Sequence, residues 1–302
     1  MPYAMIRGLM AAVFVLAPVA ASAQQMTSAG SRLERIAADG QFVIGHRETA
    51  VPFAYFDQAQ RPVGYGVDVA RRVFDAVKAR LGKPNLRLRF NAITAMTLWP
   101  LMETKVIDLE CGVTINRVGS GQHAAFSNTI YVDAVRIAVS ADSGITGFDH
   151  LVGKRVGVVA GSEIAALVER LAAERKLTLE VVPVRNDLHG VQALADGRVD
   201  AFVAPAALIL GQISRSANPA RFKVVGDVLL SEPYACVLPK DDPAYKQLVD
   251  ATLTDMMRSG AMAKLHAKWF EAPIPPYQWR LNLPLNDATR AAFASPNDRP
   301  MK

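Results

Sequence analysis

Two periodicities of apolar positions run along the chain. Phe42-Val43-Ile44-Gly45 is a short apolar run closed by a turn glycine, and it predicts a strand. Val67, Ala70, Val73, Phe74 and Val77 then recur at three- and four-residue spacing, which predicts one buried helix face. Residues 102–109 lead into a further strand, Leu109-Glu110-Cys111-Gly112. The second half repeats this plan. Arg155 to Gly161 reads as a strand ending in glycine, a helix follows with Ile164, Leu167, Val168 and Leu171 on one face, and Ala201-Phe202-Val203-Ala204 is the next strand. Two strand–helix–strand units predict two α/β lobes. Helical patterns at 245–258 and 261–270 follow, and a proline-rich tail begins at Pro273.

Two apolar segments, 131–139 and 232–239, read as crossovers between the lobes. The first lobe is then discontinuous, formed by 24–136 plus 234–302, and the second comprises 137–233. Each lobe is expected to carry its own sheet, with a ligand cleft between them. The returning crossover enters the first lobe's sheet, which brings Cys236 towards Cys111. A disulfide between them and a pair of buried free thiols both stay open.

Residues 1–23 have the organisation of a cleaved secretory signal. Arg7 supplies the positive charge, Leu9 to Ala21 is apolar, and Ala21-Ser22-Ala23 offers small residues for cleavage. The apolar run is short of the ~20 residues that a membrane span requires. The expected location is therefore the periplasm. The formal charge of +6 is dispersed among acids and forms no basic stripe with interleaved aromatics, which argues against a nucleic-acid partner. No Cys/His cluster suggests a metal, and no motif suggests a cofactor; none is expected.

Several motifs occur in one order along the chain: Gly45-His46-Arg47-Glu48, Val51-Pro52-Phe53, Pro62-Val63-Gly64-Tyr65, Ile107-Asp108-Leu109-Glu110-Cys111-Gly112, Ala124-Ala125-Phe126-Ser127-Asn128-Thr129-Ile130 and Pro239-Lys240-Asp241-Asp242-Pro243. In these the chain resembles glutamate/aspartate-binding members of solute-binding family 3 of ABC transporters. The resemblance implies the type II periplasmic-binding fold, two lobes joined by two crossover strands. It also implies capture of a solute by hinge closure, a permease partner in the inner membrane, and a monomer.

The same resemblance supplies ligand positions, and this chain departs from most of them. Arg47 keeps the arginine implied for a ligand side-chain carboxylate, a role that a guanidinium fork suits. Ala95 and Leu98 stand where a serine and an arginine are implied, and Val113 and Ile115 replace a serine and a threonine around an unchanged Thr114. Ser120 stands where an arginine for the α-carboxylate is implied. In the second lobe Glu163 replaces a threonine, Asp187 a histidine, and Pro205 the ammonium-binding aspartate. Losing one partner of a buried charge-assisted bond costs about 2–5 kcal/mol, so glutamate and aspartate are not the expected ligands. Ala95, Leu98, Trp99, Val113 and Ile115 predict an apolar wall. Gly161 and Ser162, at a helix start, offer backbone N–H groups to an anion. Arg117 is read as an exposed loop arginine, the first candidate to replace the missing cation.

The resulting expectation is a non-enzymatic solute-binding protein for an anionic or partly apolar solute. Two alternatives remain. One is a dehydratase-like enzyme on this scaffold, with Glu163 or Asp187 as general acid. The other is a periplasmic partner or sensor protein that takes no small ligand.

Overall fold

The computed structural model describes Met1 and residues 31–301. The proposed signal sequence lies outside the described residues. In chain order the strands are β1 (Gln41–His46), β2 (Thr49–Ala50), β3 (Ala54–Phe56), β4 (Pro62–Val63), β5 (Arg87–Ala92), β6 (Leu109–Glu110), β7 (Ala125–Ser140), β8 (Arg155–Val159), β9 (Glu180–Val184), β10 (Ala201–Pro205) and β11 (Phe222–Leu238). The helices are α1 (Arg32–Asp39), α2 (Tyr65–Leu81), α3 (Leu98–Glu103), α4 (Glu163–Glu174), α5 (Asp187–Ala195), α6 (Ala206–Ile213), α7 (Pro243–Arg258), α8 (Ala261–His266) and α9 (Asp287–Ala294). The periodic segments thus fold as their spacing predicts. Val67, Ala70, Val73, Phe74 and Val77 are all buried on α2, as are Ile164, Leu167 and Val168 on α4.

One feature differs from expectation. Eight of the strands form one hydrogen-bonded ladder in the order β5-β1-β6-β11-β7-β10-β8-β9, not one sheet per lobe, and β2-β3-β4 form a small sheet of their own. The reason lies in the crossovers. β7 has 16 residues and β11 has 17, so at roughly 3.3 Å per residue each spans about 50 Å and belongs to both lobes. They pair antiparallel along most of that length, with register shifts between Val225 and Leu230, between Tyr234 and Ala235, and between Ala235 and Val237. The parallel set β5-β1-β6 joins at one end of the pair, through Val237 opposite Glu110. The set β10-β8-β9 joins at the other, through Ala201–Pro205 opposite Val135–Val139.

The apolar core divides in the same way. One large cluster gathers Phe42, Phe53, Tyr65, Val73, Tyr234 and Phe270 at the first end, and another gathers Ile137, Val156, Val168 and Val203 at the second. Contact between the ends is made by α6. A side chain on Gly211 would overlap the backbone carbonyl of Val51, and Gln212 Nε2 donates to the Thr49 carbonyl at 3.1 Å. The chain after Pro273 is not a loose tail. Asn286 caps α9, Thr289 Oγ1 accepts from the Val132 N–H at 3.0 Å, and Met301 pairs its backbone with Asn116 and Val118.

Cys111 and Cys236 are bonded to each other, their Cα atoms 4.1 Å apart across β6 and β11 and 125 residues apart in sequence. The bridge lies inside the larger cluster. Asp133, on β7, is fully enclosed; its Oδ1 accepts from the backbone N–H groups of Ala134 (2.8 Å) and Ala207 (3.2 Å). It thereby caps α6, whose own N-cap residue, Pro205, has no side-chain acceptor. Burial nevertheless pushes the Asp133 carboxyl up to about 7, with the two N–H bonds opposing.

Two expectations follow from this architecture. Closing a loop of this length restricts the unfolded chain, so Cys111→Ser with Cys236→Ser should lower stability by about 2–5 kcal/mol in denaturant unfolding; an unchanged midpoint would show that the bridge is not formed. For Asp133, the folded-state value lies above the ~3.9 of an unfolded aspartate. Its contribution to stability is therefore fully present below about pH 4 and lost as pH rises through about 7. Asp133→Asn keeps the acceptor oxygen and cannot ionise. Its melting temperature should gain on the wild type steadily between those limits. A wild type that stays the more stable protein at pH 8 would show that the ionised cap outweighs its desolvation.

Candidate solute-binding cleft

Between the two ends of the molecule, against the crossover pair, lies a cavity of about 350 Å³. That is within the range of small-molecule sites. Its apolar surface comes from Val113, Ile115, Val159, Ile164 and Leu208, and its polar surface centres on Arg117, Glu163, Asp187, Glu232 and Tyr234.

Arg117 is the one cationic side chain among the described residues of the lining. It extends from the strand-like segment 115–117, which is held on both sides: Asn116 N–H donates to the Pro233 carbonyl at 3.1 Å, and Val118 N–H to the Met301 carbonyl at 3.2 Å. Ser120 follows one 3-10 turn later and donates its N–H to the Arg117 carbonyl at 3.0 Å. Arg117 lines the cavity, whereas Ser120, three residues on, does not. The Arg117 guanidinium pairs with Glu163, at the start of α4, and lies 3.7 Å from Glu232. The first of these pairs ties the two walls of the cleft.

The floor is acidic. Glu232 and Asp133 stand directly opposite each other in the β7–β11 ladder, and the hydroxyl of Tyr234 is shared between them at 3.5 and 3.4 Å. Like charges directly opposite one another are unfavourable. Burial pushes Glu232 up to about 7 despite Arg117, with Asp187 raising it further. Asp187, the first residue of α5, is pushed up to about 6, also by burial. The Arg117 guanidinium loses some basicity to desolvation, which Glu232 and Tyr234 oppose.

Of the positions singled out in the sequence, Val113, Ile115, Gly161, Ser162, Glu163, Asp187 and Pro205 line this cavity. Ser162 does not offer its N–H freely, because that group donates to the Val159 carbonyl at 3.1 Å. Six others lie elsewhere. Leu98 is fully buried with Met102, Ile107 and Phe126, a core position and not a wall. Trp99 stacks on His123 at 5.7 Å, and Ala95 is exposed. Thr114 donates its hydroxyl to the buried Glu110 at 2.8 Å. Arg47 is the charge that opposes the upward push of burial on Glu110, and its Nε has no hydrogen-bond partner. Ser120 stays in its turn.

Sequence reasoning missed Glu232, Tyr234 and Leu208, and undervalued Arg117. A signal was available for the first two. Crossover strands form the floor of a two-lobed cleft, so a Glu and a Tyr two residues apart on one of them share the face that meets it.

Comparisons with known proteins agree with this architecture. Residues 42–272 match the family described as bacterial extracellular solute-binding proteins, family 3. The chain is 37% identical over 272 residues to the glutamate/aspartate import solute-binding protein of Escherichia coli K12, covering 90% of each. It is 32% identical over 268 residues to the L-glutamate/L-aspartate-binding protein of Pseudomonas aeruginosa PAO1, covering 88% of this chain and 89% of that one. Among solved structures, an ancestral amino acid-binding protein described as a precursor of cyclohexadienyl dehydratase superposes with a TM-score of 0.65. The match covers 80% of this chain and all of that one at 23% identity, which speaks to the fold alone. With the family match spanning most of its length and these relatives above 30% identity, the chain belongs to the bacterial extracellular solute-binding proteins, family 3, and has their type II periplasmic-binding fold.

Proposed function

We propose that this protein is the periplasmic capture component of an ABC-type uptake system. On this reading residues 1–23 direct export and are removed. Lobe 1 comprises 24–136 plus 234–302, lobe 2 comprises 137–233, and a monomer delivers its solute to an inner-membrane permease. The observation that carries the reading is the cavity at the crossover pair, spanned by the Arg117–Glu163 ion pair. Hinge closure in such a fold makes and breaks contacts of this kind. No helix among the described residues is long and apolar enough to cross a membrane.

The solute on this reading lies against Val113, Ile115 and Leu208, with its polar groups at Arg117 and the floor acids. It differs from glutamate or aspartate, although both relatives carry those names. Leu98 and Ser120 supply no cation, and Arg117 is already paired with Glu163. A second carboxylate on the ligand would find no counter-charge in the lining and would be buried at several kcal/mol.

A second reading, a dehydratase-like enzyme, draws on one observation: Asp187 is held near 6, within the range of a general acid. Turnover of a captured solute, followed by product analysis, would favour it; recovery of the solute unchanged favours capture alone.

Titration calorimetry with L-glutamate and L-aspartate should show no dissociation constant below about 100 µM, where every ~1.4 kcal/mol lost is a tenfold weakening. Low-micromolar binding of either would mean that Arg117 releases Glu163 to take the ligand's carboxylate. Arg117→Ala, but not Arg47→Ala, should then abolish it.

A further inference from the structure

We infer, resting on capture of a solute in this cavity, that the solute carries a cationic nitrogen group, an ammonium or a guanidinium, received between Asp187 and Glu232. Glu232 is 2% exposed and faces the cavity, yet its carboxylate has no hydrogen bond of ordinary length. Its nearest donors are the Tyr234 hydroxyl at 3.5 Å, shared with Asp133, and the Arg117 guanidinium at 3.7 Å. A buried carboxylate without close donors is a group whose partner comes from elsewhere. Asp187 lines the same space. The side chain beside it, Asn186, is turned to the N–H of His189 at 3.1 Å and so caps α5, leaving Asp187 free of that task. No ion pair reaches Asp187 among the described residues.

The charges do not balance. Glu163, Asp187 and Glu232 line the cavity against Arg117 alone, and Arg117 is taken by Glu163. An acidic solute would add to the excess. A cationic one would supply the missing donors to Glu232 and Asp187 as charge-assisted hydrogen bonds, the strong kind. A carboxylate on the same solute would compete with the exposed Glu163 for Arg117, so the assignment covers cations with and without one.

The site should also couple binding to protons. The groups facing the two acids are Arg117 from segment 115–117, Glu163 through that arginine, Tyr234 on β11 and Asp133 on β7. His189, on the same helix as Asp187, is directed to Asn186 at 2.7 Å. Both carboxyls sit above the usual carboxylate range, Asp187 at about 6 and Glu232 at about 7. A bound cation favours their ionised forms. Binding then releases protons near neutrality, and affinity rises with pH until both acids are ionised.

The test uses the exported protein with L-lysine, L-arginine, agmatine and putrescine as cationic probes and succinate and glutarate, which carry no nitrogen, as acidic ones. Thermal shift and calorimetry read binding. Calorimetry at about pH 6.5 in buffers of different ionisation enthalpy counts the protons released. At least one cationic probe should bind, and its affinity should fall about tenfold or more in Asp187→Asn and in Glu232→Gln. Both variants keep side-chain size, and their melting curves report folding separately. Proton release should shrink in each, which a purely structural role for these acids would not produce. Binding of acidic probes alone would overturn the cation assignment and leave capture standing. A folded protein that binds no probe of either charge would overturn both. Cation binding unaltered in both variants would remove Asp187 and Glu232 as the receivers.

Discussion

The antiparallel pairing of β7 with β11 is the constraint on which the rest of the molecule depends. These two strands carry both lobes on a single ladder, and the cavity lies against them. Their register sets what the floor of the cleft is made of. Glu232 falls opposite Asp133, and Tyr234 opposite Tyr131. Two carboxylates are thus placed side by side at the bottom of a desolvated site. Asp133 is offset by its two backbone donors and by its position at the start of α6. Glu232 has no backbone donor; its nearest donors are the Tyr234 hydroxyl at 3.5 Å and the Arg117 guanidinium at 3.7 Å.

The structure also changes how the substituted pocket is understood. Replacement of arginine by Ser120 and of aspartate by Pro205 reads, along the sequence, as a loss of both charged anchors. In space the cavity is nevertheless charged. Arg117 lines it from the segment before Ser120, and Asp187 and Glu232 line it from other elements. Pro205 leaves α6 without a side-chain cap, and Asp133 supplies one from the neighbouring strand. The cavity carries charged groups of both signs, arranged differently from those the resemblance implies, and with acids in excess.

The disulfide and the C-terminal segment support this arrangement from outside the cavity. Cys111–Cys236 fixes β6 to β11 close to where Val113 and Ile115 begin the apolar wall. Residues 297–301 lie along the other edge of the segment that bears Arg117; Asn116 Nδ2 donates to the Asp298 carbonyl at 2.8 Å and Thr129 N–H to the Asn297 carbonyl at 2.9 Å. An arginine on a loop anchored along both edges loses less conformational entropy when it engages a ligand or Glu163.

The sequence alone determined what depends on local periodicity. The buried faces of α2 and α4, the strands at 42–45 and 155–159, the two-lobed α/β plan and its crossovers were legible because side chains repeat at the spacing of the element they form. Several pocket positions were legible too, among them Val113, Glu163 and Asp187, because they adjoin recognisable strand ends and helix starts. Tertiary structure decided the rest. Leu98 and Glu232 illustrate why: a leucine at the start of a short helix can face core or cleft, and a glutamate on a long strand can face solvent or floor. Only the packing of α3 against Phe126 and the register of β11 against β7 settle each case. Whether two separate sheets or one ladder formed was likewise set by how far the crossover strands pair, an interaction between segments about a hundred residues apart that no local pattern encodes.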